Sequence, residues 1–346
     1  MTGEKLQIPA PVSGGIFLSY KCNSACQHCL YNCSPRWDAD WISEADATRY
    51  LQQLAQSMPP SHRRSRQVSL NYGVHFTGGE PFLNYPLLLR LVGIAYDLGL
   101  SATFVETNCF WCRDDDTTRQ RLAALKEAGL AGMLISANPF VVESVPFARI
   151  ERAARIGREI FGENAIVYQR LFFDLFRAMS LQGTLPFHDF LMRASTSLYR
   201  MELLPMGRVS YTLHYLYRKY PASHFATQSC ERELVRDWHI HMDNYGNYIP
   251  GYCGGISLGD ARDLDALCAG IDLEERPVLR ALLTGVDALL QLGKAYGYEE
   301  QEEYASKCHL CLDVRRHLVR VADFPELRPV EFYTRLTDRR TLGEEA

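Results

Sequence analysis

Short apolar runs alternate with longer amphipathic segments along the N-terminal half of the sequence, and this alternation limits the possible folds more than any other feature. The runs GGIFLSY, VSLNYGVHFTGG, SATFVETN and AGMLISAN predict strands. Helical patterns such as WISEADATRYLQQLAQSM, with Ser43 as its N-cap, lie between them, and AIVYQRLFF and SLYRMELLP predict two further strands. One strand and one helix about every 30 residues is typical of a parallel α/β architecture.

Length and composition agree with a globular protein. The chain has 346 residues, of which 47% are hydrophobic and 23% charged, so a sizeable core is feasible and extensive disorder is excluded. This length suits one barrel with an appendage. The formal net charge is −4, with acidic and basic residues interspersed, which argues against a protein that binds nucleic acid by neutralising phosphates.

The sequence also predicts a compartment. The N-terminal MTGEKLQIPAPVSGG lacks the charged and then apolar run of a signal peptide, and no apolar run reaches the roughly 18 residues that span a bilayer. We therefore expect a cytoplasmic protein without a membrane partner. In a reducing compartment, the 11 cysteines indicate metal binding or catalysis rather than disulfide bonds.

Three cysteines follow the first predicted strand with the spacing CxxxCxxC: Cys22, Cys26 and Cys29. Three thiolates this close in sequence can hold three irons of a cubane cluster and leave the fourth iron open to an outside ligand. A zinc site is the alternative, although zinc knuckles usually use CxxC pairs. Cys33 lies outside this spacing, and we expect it to be a small buried residue.

The segment CNSACQHC resembles the CxxxCxΦC motif of the radical S-adenosylmethionine (radical SAM) superfamily, with His28 where an aromatic ring is usual. In HFTGGEPFLN, Gly78, Gly79 and Glu80 end the second predicted strand, where family members carry a GGE motif that binds the methionyl amine of SAM. Two glycines allow a backbone edge to approach a ligand closely, and a carboxylate can accept hydrogen bonds from an ammonium group.

The next two strand ends extend the resemblance. VETNCFW is similar to the family's TNG, and LISANPF is similar to its ISxD, so that Thr107, Asn108 and Ser136 are expected on the same face. Two positions depart from the family, because Cys109 replaces a glycine and Asn138 replaces an aspartate. The resemblance implies a partial (β/α)6 TIM-type barrel, with five residues binding the cofactor: Gly78, Gly79, Glu80, Asn108 and Ser136.

The sequence changes character after LLPMGRV, and we predict one domain over residues 1–209 and a smaller α+β domain over residues 210–346. The second domain contains DNYGNYIPGYCGGISLGD, which resembles the hairpin of the auxiliary-cluster domains called SPASM and Twitch. No cysteine follows Cys311, so the resemblance is to Twitch, with one auxiliary [4Fe–4S] cluster. The implied ligands are Cys230, Cys253, Cys308 and Cys311. A four-cysteine zinc site is the alternative, and Cys268 is expected in the core.

Other residues leave several interpretations open. Cys109 and Cys112 form the CxxC of CFWC after the third strand, where they could bind substrate, hold a metal, supply a reactive thiol or only pack. Glu106 and Arg170 are charged residues in apolar runs, and each either faces the barrel lumen or lies at a solvent-exposed edge. The sequence identifies no catalytic acid, base or radical partner.

The resemblance implies an oxidoreductase in which SAM is reductively cleaved and the 5′-deoxyadenosyl radical abstracts hydrogen from the substrate. A flavodoxin or ferredoxin would supply the electron, and the auxiliary cluster could accept a surplus electron. We expect a net oxidation or crosslink in a ribosomally made peptide or protein. The alternatives are a small-molecule dehydrogenase and, in a different class, an iron–sulfur electron carrier without catalysis.

Overall fold

The computed structural model describes residues 5–65 and 67–338. The strands in these residues are β1 Lys5–Leu6, β2 Ser13–Phe17, β3 Gly73–Thr77, β4 Thr103–Thr107, β5 Gly132–Ser136, β6 Ala165–Tyr168, β7 Ile240–Met242, β8 Tyr248–Ile249 and β9 Ile271–Asp272.

The described α-helices differ widely in length, from single turns to 15 residues. They are α1 Glu44–Ser57, α2 Pro60–Arg63, α3 Tyr85–Asp97, α4 Asp115–Glu127, α5 Phe147–Phe161, α6 Arg170–Ala178, α7 Phe187–Ala194, α8 Val209–Thr212, α9 Glu231–Leu234, α10 Leu264–Ala269, α11 Pro277–Thr284, α12 Val286–Ala295, α13 Lys307–Val321 and α14 Glu331–Thr334. None of these helices combines the length and the apolar composition that a membrane span needs.

The described chain divides into two compact units. The sheet unit contains residues 12–26, 33–65 and 67–202, and the C-terminal unit contains residues 5–11, 27–32 and 203–338. The short segment 27–32 thus belongs to the C-terminal unit, although the residues on both sides of it belong to the sheet unit. The predicted boundary near residue 209 stays a prediction.

Five parallel strands form the centre of the sheet unit, in the order β6-β5-β4-β3-β2. Helices α3, α4 and α5 connect β3 to β4, β4 to β5 and β5 to β6. All residues of β2 and β3 are buried, as expected for parallel strands that are covered on both faces. The predicted α/β class with a parallel sheet is confirmed.

Local signals in the sequence set the ends of the first helices. The Ser43 side chain accepts a hydrogen bond from the Asp46 backbone N–H at 3.0 Å, as predicted for the N-cap of α1. Asp114 caps α4 in the same way, with its carboxylate 2.7 Å from the Thr117 nitrogen. Both caps satisfy donors that the first turn of a helix leaves without a partner inside the helix.

The end of the sheet unit differs from the sequence prediction. AIVYQRLFF is a strand only to Tyr168, because Phe172, Phe173 and Phe176 recur at helical spacing and pack on the core side of α6. SLYRMELLP forms a 3-10 helix over Ser195–Arg200 rather than a sixth strand. Tyr199 is 93% exposed and none of the segment's apolar side chains is fully buried, so this segment lacks the buried contacts that favour a strand within the sheet.

The C-terminal unit contains the predicted hairpin, formed by β7 and β8. Asp243 organises its turn, since one carboxylate oxygen accepts hydrogen bonds from the backbone N–H groups of Tyr245 and Asn247 at 3.0 and 2.8 Å. Gly246 has a φ of +95° in this turn. Strands β1 and β9 pair separately, and α12 packs against α11 and α13.

Candidate iron–sulfur and cofactor sites

Cys22 lies five residues after the end of β2 and is buried. Its backbone N–H donates to the Ser34 carbonyl at 3.2 Å, which fixes the backbone at this cysteine. Its sulfur accepts from the Ser24 backbone N–H at 3.4 Å and from the Asn108 side-chain amide at 3.8 Å. N–H groups that point to a sulfur stabilise negative charge on it, as a metal-ligating thiolate requires.

The other two cysteines of the motif are half-buried. Cys26 ends the segment of the sheet unit that carries Cys22, whereas Cys29 lies in the segment 27–32 of the C-terminal unit. His28, which occupies the aromatic position of the motif, is half-buried. Burial and the nearby Arg208 guanidinium lower its pKa to about 4. The imidazole is therefore neutral at pH 7 and can replace an apolar ring.

The glycine pair brings the end of β3 against the segment that leads into Cys22. The Gly79 backbone N–H donates to the Ser19 carbonyl at 2.8 Å, and the Glu80 backbone N–H donates to the Lys21 carbonyl at 3.0 Å. A Cβ atom on Gly79 would overlap the Lys21 carbonyl, so only glycine permits this approach. Gly78 also needs its freedom, because its φ is +113°.

Glu80 is buried, and groups of the protein already bind its carboxylate. One oxygen accepts from the Phe82 backbone N–H at 3.2 Å and from the Thr107 hydroxyl at 2.9 Å, and the other accepts from the Asn108 backbone N–H at 2.8 Å. Burial raises the pKa of Glu80 to about 7, although these three hydrogen bonds oppose the rise. Glu80 thus joins the carboxyl end of β3 to that of β4.

Thr107 is the centre of the same network. Its hydroxyl donates to Glu80 and accepts from the Cys109 backbone N–H at 3.0 Å and from the Trp111 indole at 3.1 Å. Beside it, the Asn108 side-chain amide donates to the Asn23 side-chain oxygen at 2.9 Å. Thr107 and Asn108 therefore link Glu80 to the loop that carries Cys22 and Asn23.

The end of β5 is less connected. Ser136 is the last residue of β5 and is half-buried. Asn138, which stands in the aspartate position of the family motif, is buried, and its side-chain oxygen accepts from the Phe140 and Val141 backbone N–H groups, both at 3.1 Å. This oxygen shapes the turn after β5.

The two charged residues of the apolar runs have different surroundings. Glu106 accepts a hydrogen bond from the Thr77 hydroxyl at 2.6 Å. Its other oxygen lies 3.8 Å from His75, but burial lowers the pKa of His75 to about 3, so the pair is not an ion pair at pH 7. Arg170 begins α6 at an exposed position and pairs with Asp174 at 3.0 Å. Arg170 therefore lies at the solvent-exposed edge.

The CFWC turn is buried packing at the end of β4. Cys109 and Cys112 are both fully buried, and Cys109 has a φ of +66°, which the glycine of the family motif would adopt more easily. Burial first, and then a hydrogen bond with Cys112, raise the pKa of the Cys109 thiol. The Trp111 ring stacks on Phe82 at 3.9 Å. Cys33 is buried as well, and its thiol donates to the Gly78 carbonyl at 3.3 Å.

Four cysteines of the C-terminal unit line one cavity of about 70 Å³, which is far larger than the space of a single water. They are Cys230, Cys253, Cys308 and Cys311. Cys308 and Cys311 lie in the first turns of α13, whose N-terminus carries partial positive charge. Cys268 lies on α10 outside this cavity lining and is half-buried rather than in the core.

Electrostatic interactions among these thiols show that they converge. Burial first, together with the negative charges of neighbouring cysteines, raises the pKa of Cys253 to about 11 and that of Cys308 to about 12. Lys307 and the buried Arg315 line the same cavity. The Arg315 guanidinium donates to the Gly254 carbonyl at 3.1 Å. Arg236 also lines this cavity. Four soft sulfur donors beside three cations fit an anionic iron–sulfur cluster.

Comparison with known families adds an independent finding. Residues 15–137, just over a third of the chain, match a family model described as a 4Fe-4S single cluster domain. This region resembles a 4Fe–4S single-cluster domain. The prediction of a [4Fe–4S] cofactor is thereby confirmed, and the matched region contains the radical SAM-like motifs from the cysteine triad to Ser136. No curated protein matches the sequence significantly.

Among solved structures, "Crystal structure of BtrN in complex with AdoMet and 2-DOIA" has a TM-score of 0.47 and 13% identity, and covers 81% of this chain and 89% of that chain. "Native anSMEcpe with bound AdoMet" has a TM-score of 0.41 and 12% identity, with 76% and 82% covered. The same protein "with bound AdoMet and Kp18Cys peptide" has a TM-score of 0.42 and 12% identity, with 77% and 82% covered.

Sequence reasoning missed several residues that shape the 4Fe–4S-like region. The side chain of Asn23, inside the cysteine motif, accepts from Asn108, but nothing in its spacing distinguishes it. Thr107 was expected only to face the site, whereas it joins Glu80 to the CFWC turn. The glycine and arginine of LLPMGR gave the clearest unused signal, because they precede a change in sequence character and contact the segment that carries Cys29.

Proposed function

We propose that this protein is a radical SAM oxidoreductase whose SAM-binding [4Fe–4S] cluster is held by Cys22, Cys26 and Cys29. The observation that carries the proposal is the pairing of the GGE edge with the segment that leads into Cys22, at hydrogen-bond distances of 2.8 and 3.0 Å. An electron carrier would need the cysteines but not a glycine edge and a buried carboxylate beside them.

Some of these residues would bind the cluster or SAM, and others would position the binding groups. Three thiolates leave one iron without a protein ligand, which is the property that a catalytic rather than structural site needs. Gly78, Gly79, Glu80, Asn108 and Ser136 are the proposed contacts to SAM. Thr107 and the Asn108 backbone fix the Glu80 carboxylate in advance, so that little reorganisation is needed when an ammonium group arrives. When bound and reduced, the cluster and SAM supply a 5′-deoxyadenosyl radical that removes hydrogen from the substrate.

The second cysteine set supports an oxidation. We propose that Cys230, Cys253, Cys308 and Cys311 bind an auxiliary [4Fe–4S] cluster within a Twitch-like domain over residues 210–346, after a partial barrel over residues 1–209. Four protein thiolates complete such a cluster, and a cavity of about 70 Å³ provides more room than one ion needs. Hydrogen abstraction leaves an electron to be removed from the substrate radical, and a second cluster provides a site for it.

The proposed substrate is a ribosomally made peptide or protein, which undergoes a net oxidation or crosslink, and the proposed reductant is a flavodoxin or ferredoxin. A short precursor peptide encoded beside this gene should lose the mass of two hydrogens for each modification when incubated with SAM and the reduced protein. If that peptide keeps its mass while a small alcohol or amine metabolite is dehydrogenated, the substrate class is that of a small-molecule dehydrogenase.

The central test is anaerobic reconstitution with iron and sulfide, followed by SAM and dithionite. We expect 5′-deoxyadenosine from the wild-type protein and from Cys268→Ala, a control cysteine outside both proposed ligand sets, but none from Cys22→Ala. Two clusters correspond to about eight irons per chain. If the wild-type protein contains these irons and forms no 5′-deoxyadenosine, it is an electron carrier and the proposal is wrong.

A further inference from the structure

The ligand motif is divided between the two units of the chain. Cys22 and Cys26 belong to the sheet unit, whereas Cys29 lies in segment 27–32 of the C-terminal unit. We propose that Gly207, Arg208 and Thr212 are positioning residues that fix Cys29 as the third cluster ligand. The three residues would thereby control whether Cys29 is available to the SAM-binding cluster, an inference that rests on the proposed function.

Two hydrogen bonds from one helical turn hold the backbone on both sides of His28. The Arg208 backbone N–H donates to the Cys29 carbonyl at 3.0 Å, and the Thr212 hydroxyl lies 2.7 Å from the Gln27 carbonyl, nearer than the 2.9 Å to the Arg208 carbonyl within its own turn. Arg208 precedes α8 as its N-cap, and Thr212 ends the same helix. Both donor residues are buried, and Gln27 and Cys29 are half-buried, so water has only limited access to these bonds.

Glycine is required where this turn meets the loop. Gly207 has a φ of +56°, and a Cβ atom there would lie 2.5 Å from the Leu30 oxygen and 2.8 Å from the Cys29 oxygen. Gly254 approaches the same loop from a second side, since its Cβ atom would lie 2.9 Å from the Leu30 oxygen. Any larger side chain at Gly207 would displace the backbone that carries the Cys29 thiol.

The same glycines connect segment 27–32 to the cavity that the four cysteines of the C-terminal unit line. Gly207 and Gly254 both line the cavity surrounded by the four cysteines of the C-terminal unit, and Gly254 directly follows the proposed ligand Cys253. The wall of that cavity therefore contacts the Cys29–Leu30 backbone. When an auxiliary cluster fills the four-cysteine cavity and orders its wall, that wall would support the position of Cys29.

Further bonds hold the far end of the loop. The Tyr31 hydroxyl donates to the Gly251 carbonyl at 2.8 Å and lies 3.1 Å from His241 Nδ1. The Asn32 side-chain amide donates to the Phe332 carbonyl at 3.1 Å. Segment 27–32 is thus bound along its whole length by residues of the C-terminal unit, whereas the bonds to Cys22 come from the sheet unit.

We call the contacts of Gly207, Arg208 and Thr212 with segment 27–32 the anchor. Amide hydrogen exchange of the cluster-free protein tests this anchor without any assumption about catalysis. Thr212→Val removes the hydroxyl and keeps the shape, and we expect the amides of residues 27–32 to exchange about fivefold faster, as for one lost buried hydrogen bond. Residues 12–26 should be unaffected. Thr212→Ser keeps the hydroxyl and should restore slow exchange.

The iron content after reconstitution tests whether the anchor controls binding of the SAM-binding cluster. After anaerobic reconstitution, we expect Gly207→Ala to fall from about eight to about four irons per chain and to lose the change that SAM causes in the EPR spectrum of the reduced protein. Gly297→Ala is the matched control, because Gly297 also has a positive φ, +82°, but an added Cβ there would meet no atom within 4 Å. The control should load both clusters.

The outcomes separate this inference from the proposed function. Unchanged exchange of residues 27–32 in Thr212→Val, together with a full SAM-dependent signal in Gly207→Ala, would overturn the anchor while the wild-type protein still forms 5′-deoxyadenosine. A wild-type protein that forms no 5′-deoxyadenosine refutes the proposed function, and the exchange measurement still decides whether the anchor exists.

Discussion

Substitution of Gly79 by alanine should displace the GGE edge from the cysteine loop. The added Cβ atom would overlap the Lys21 carbonyl and lie 2.9 Å from the Tyr20 oxygen. The backbone segments 19–21 and 79–80 must move apart to relieve this overlap. Their separation breaks the hydrogen bonds from Gly79 to Ser19 and from Glu80 to Lys21. Each buried hydrogen bond contributes about 1 kcal/mol, and overpacking adds about 1–3 kcal/mol.

We therefore expect the free energy of unfolding of Gly79→Ala to fall by about 3–5 kcal/mol relative to the wild type, and SAM binding to weaken at least tenfold. Urea denaturation of the cluster-free protein measures the first quantity, and equilibrium binding of SAM to the reconstituted protein measures the second. Gly93→Ala is the matched control, because Gly93 lies inside α3 with no atom within 4 Å of an added Cβ. It should be unchanged or slightly more stable. A Gly79→Ala protein as stable as the control, with normal SAM affinity, would refute the steric explanation of the GG pair.

Three further predictions concern the same sites. Burial raises the pKa of Glu80 from 4.5 to about 7, so the folded state keeps a proton that the unfolded state releases, and the free energy of unfolding should fall between about pH 5 and pH 7. Urea titrations of Glu80→Gln at several pH values should lack this fall. An equal dependence of the unfolding free energy on pH in both proteins would contradict the prediction. Asn108→Leu removes a donor to the Cys22 sulfur and should make the reduction potential of the SAM-binding cluster more negative in a redox titration, whereas an unchanged potential would exclude that contact. Cys308→Ser should lower the iron content by about four per chain, and bound zinc in its place in the wild type would show a structural metal site instead.

The sequence predicted the parts of the fold that depend on local pattern. Strands β2 to β5 lie within short, mainly apolar runs of the sequence, and a parallel sheet buries such runs on both faces. The prediction of a strand in SLYRMELLP was wrong: Tyr199 is almost fully exposed, and the other apolar side chains of the segment are only half-buried. Burial is set by distant parts of the chain, which a short window of sequence cannot show.

The same distinction applies to the site. Spacing and strand ends identified the cysteine triad, Glu80 and Asn108 as candidates, because local motifs carry these positions. The bond between Thr212 and Gln27 joins residues 185 positions apart, and no local pattern announces it. The interpretation of Cys109 and Cys112 also needed tertiary structure, since CxxC suits a reactive pair, whereas both thiols are fully buried in the turn after β4.

We propose that an iron with no protein ligand, in the cluster held by Cys22, Cys26 and Cys29, binds SAM. The most direct test is electron–nuclear double resonance of the reduced, reconstituted protein with SAM labelled with ¹⁵N at its amino group. We expect a hyperfine coupling between the labelled nitrogen and the cluster, which is absent in Cys22→Ala and present in Cys268→Ala. A reduced cluster with SAM bound but without nitrogen coupling would contradict it.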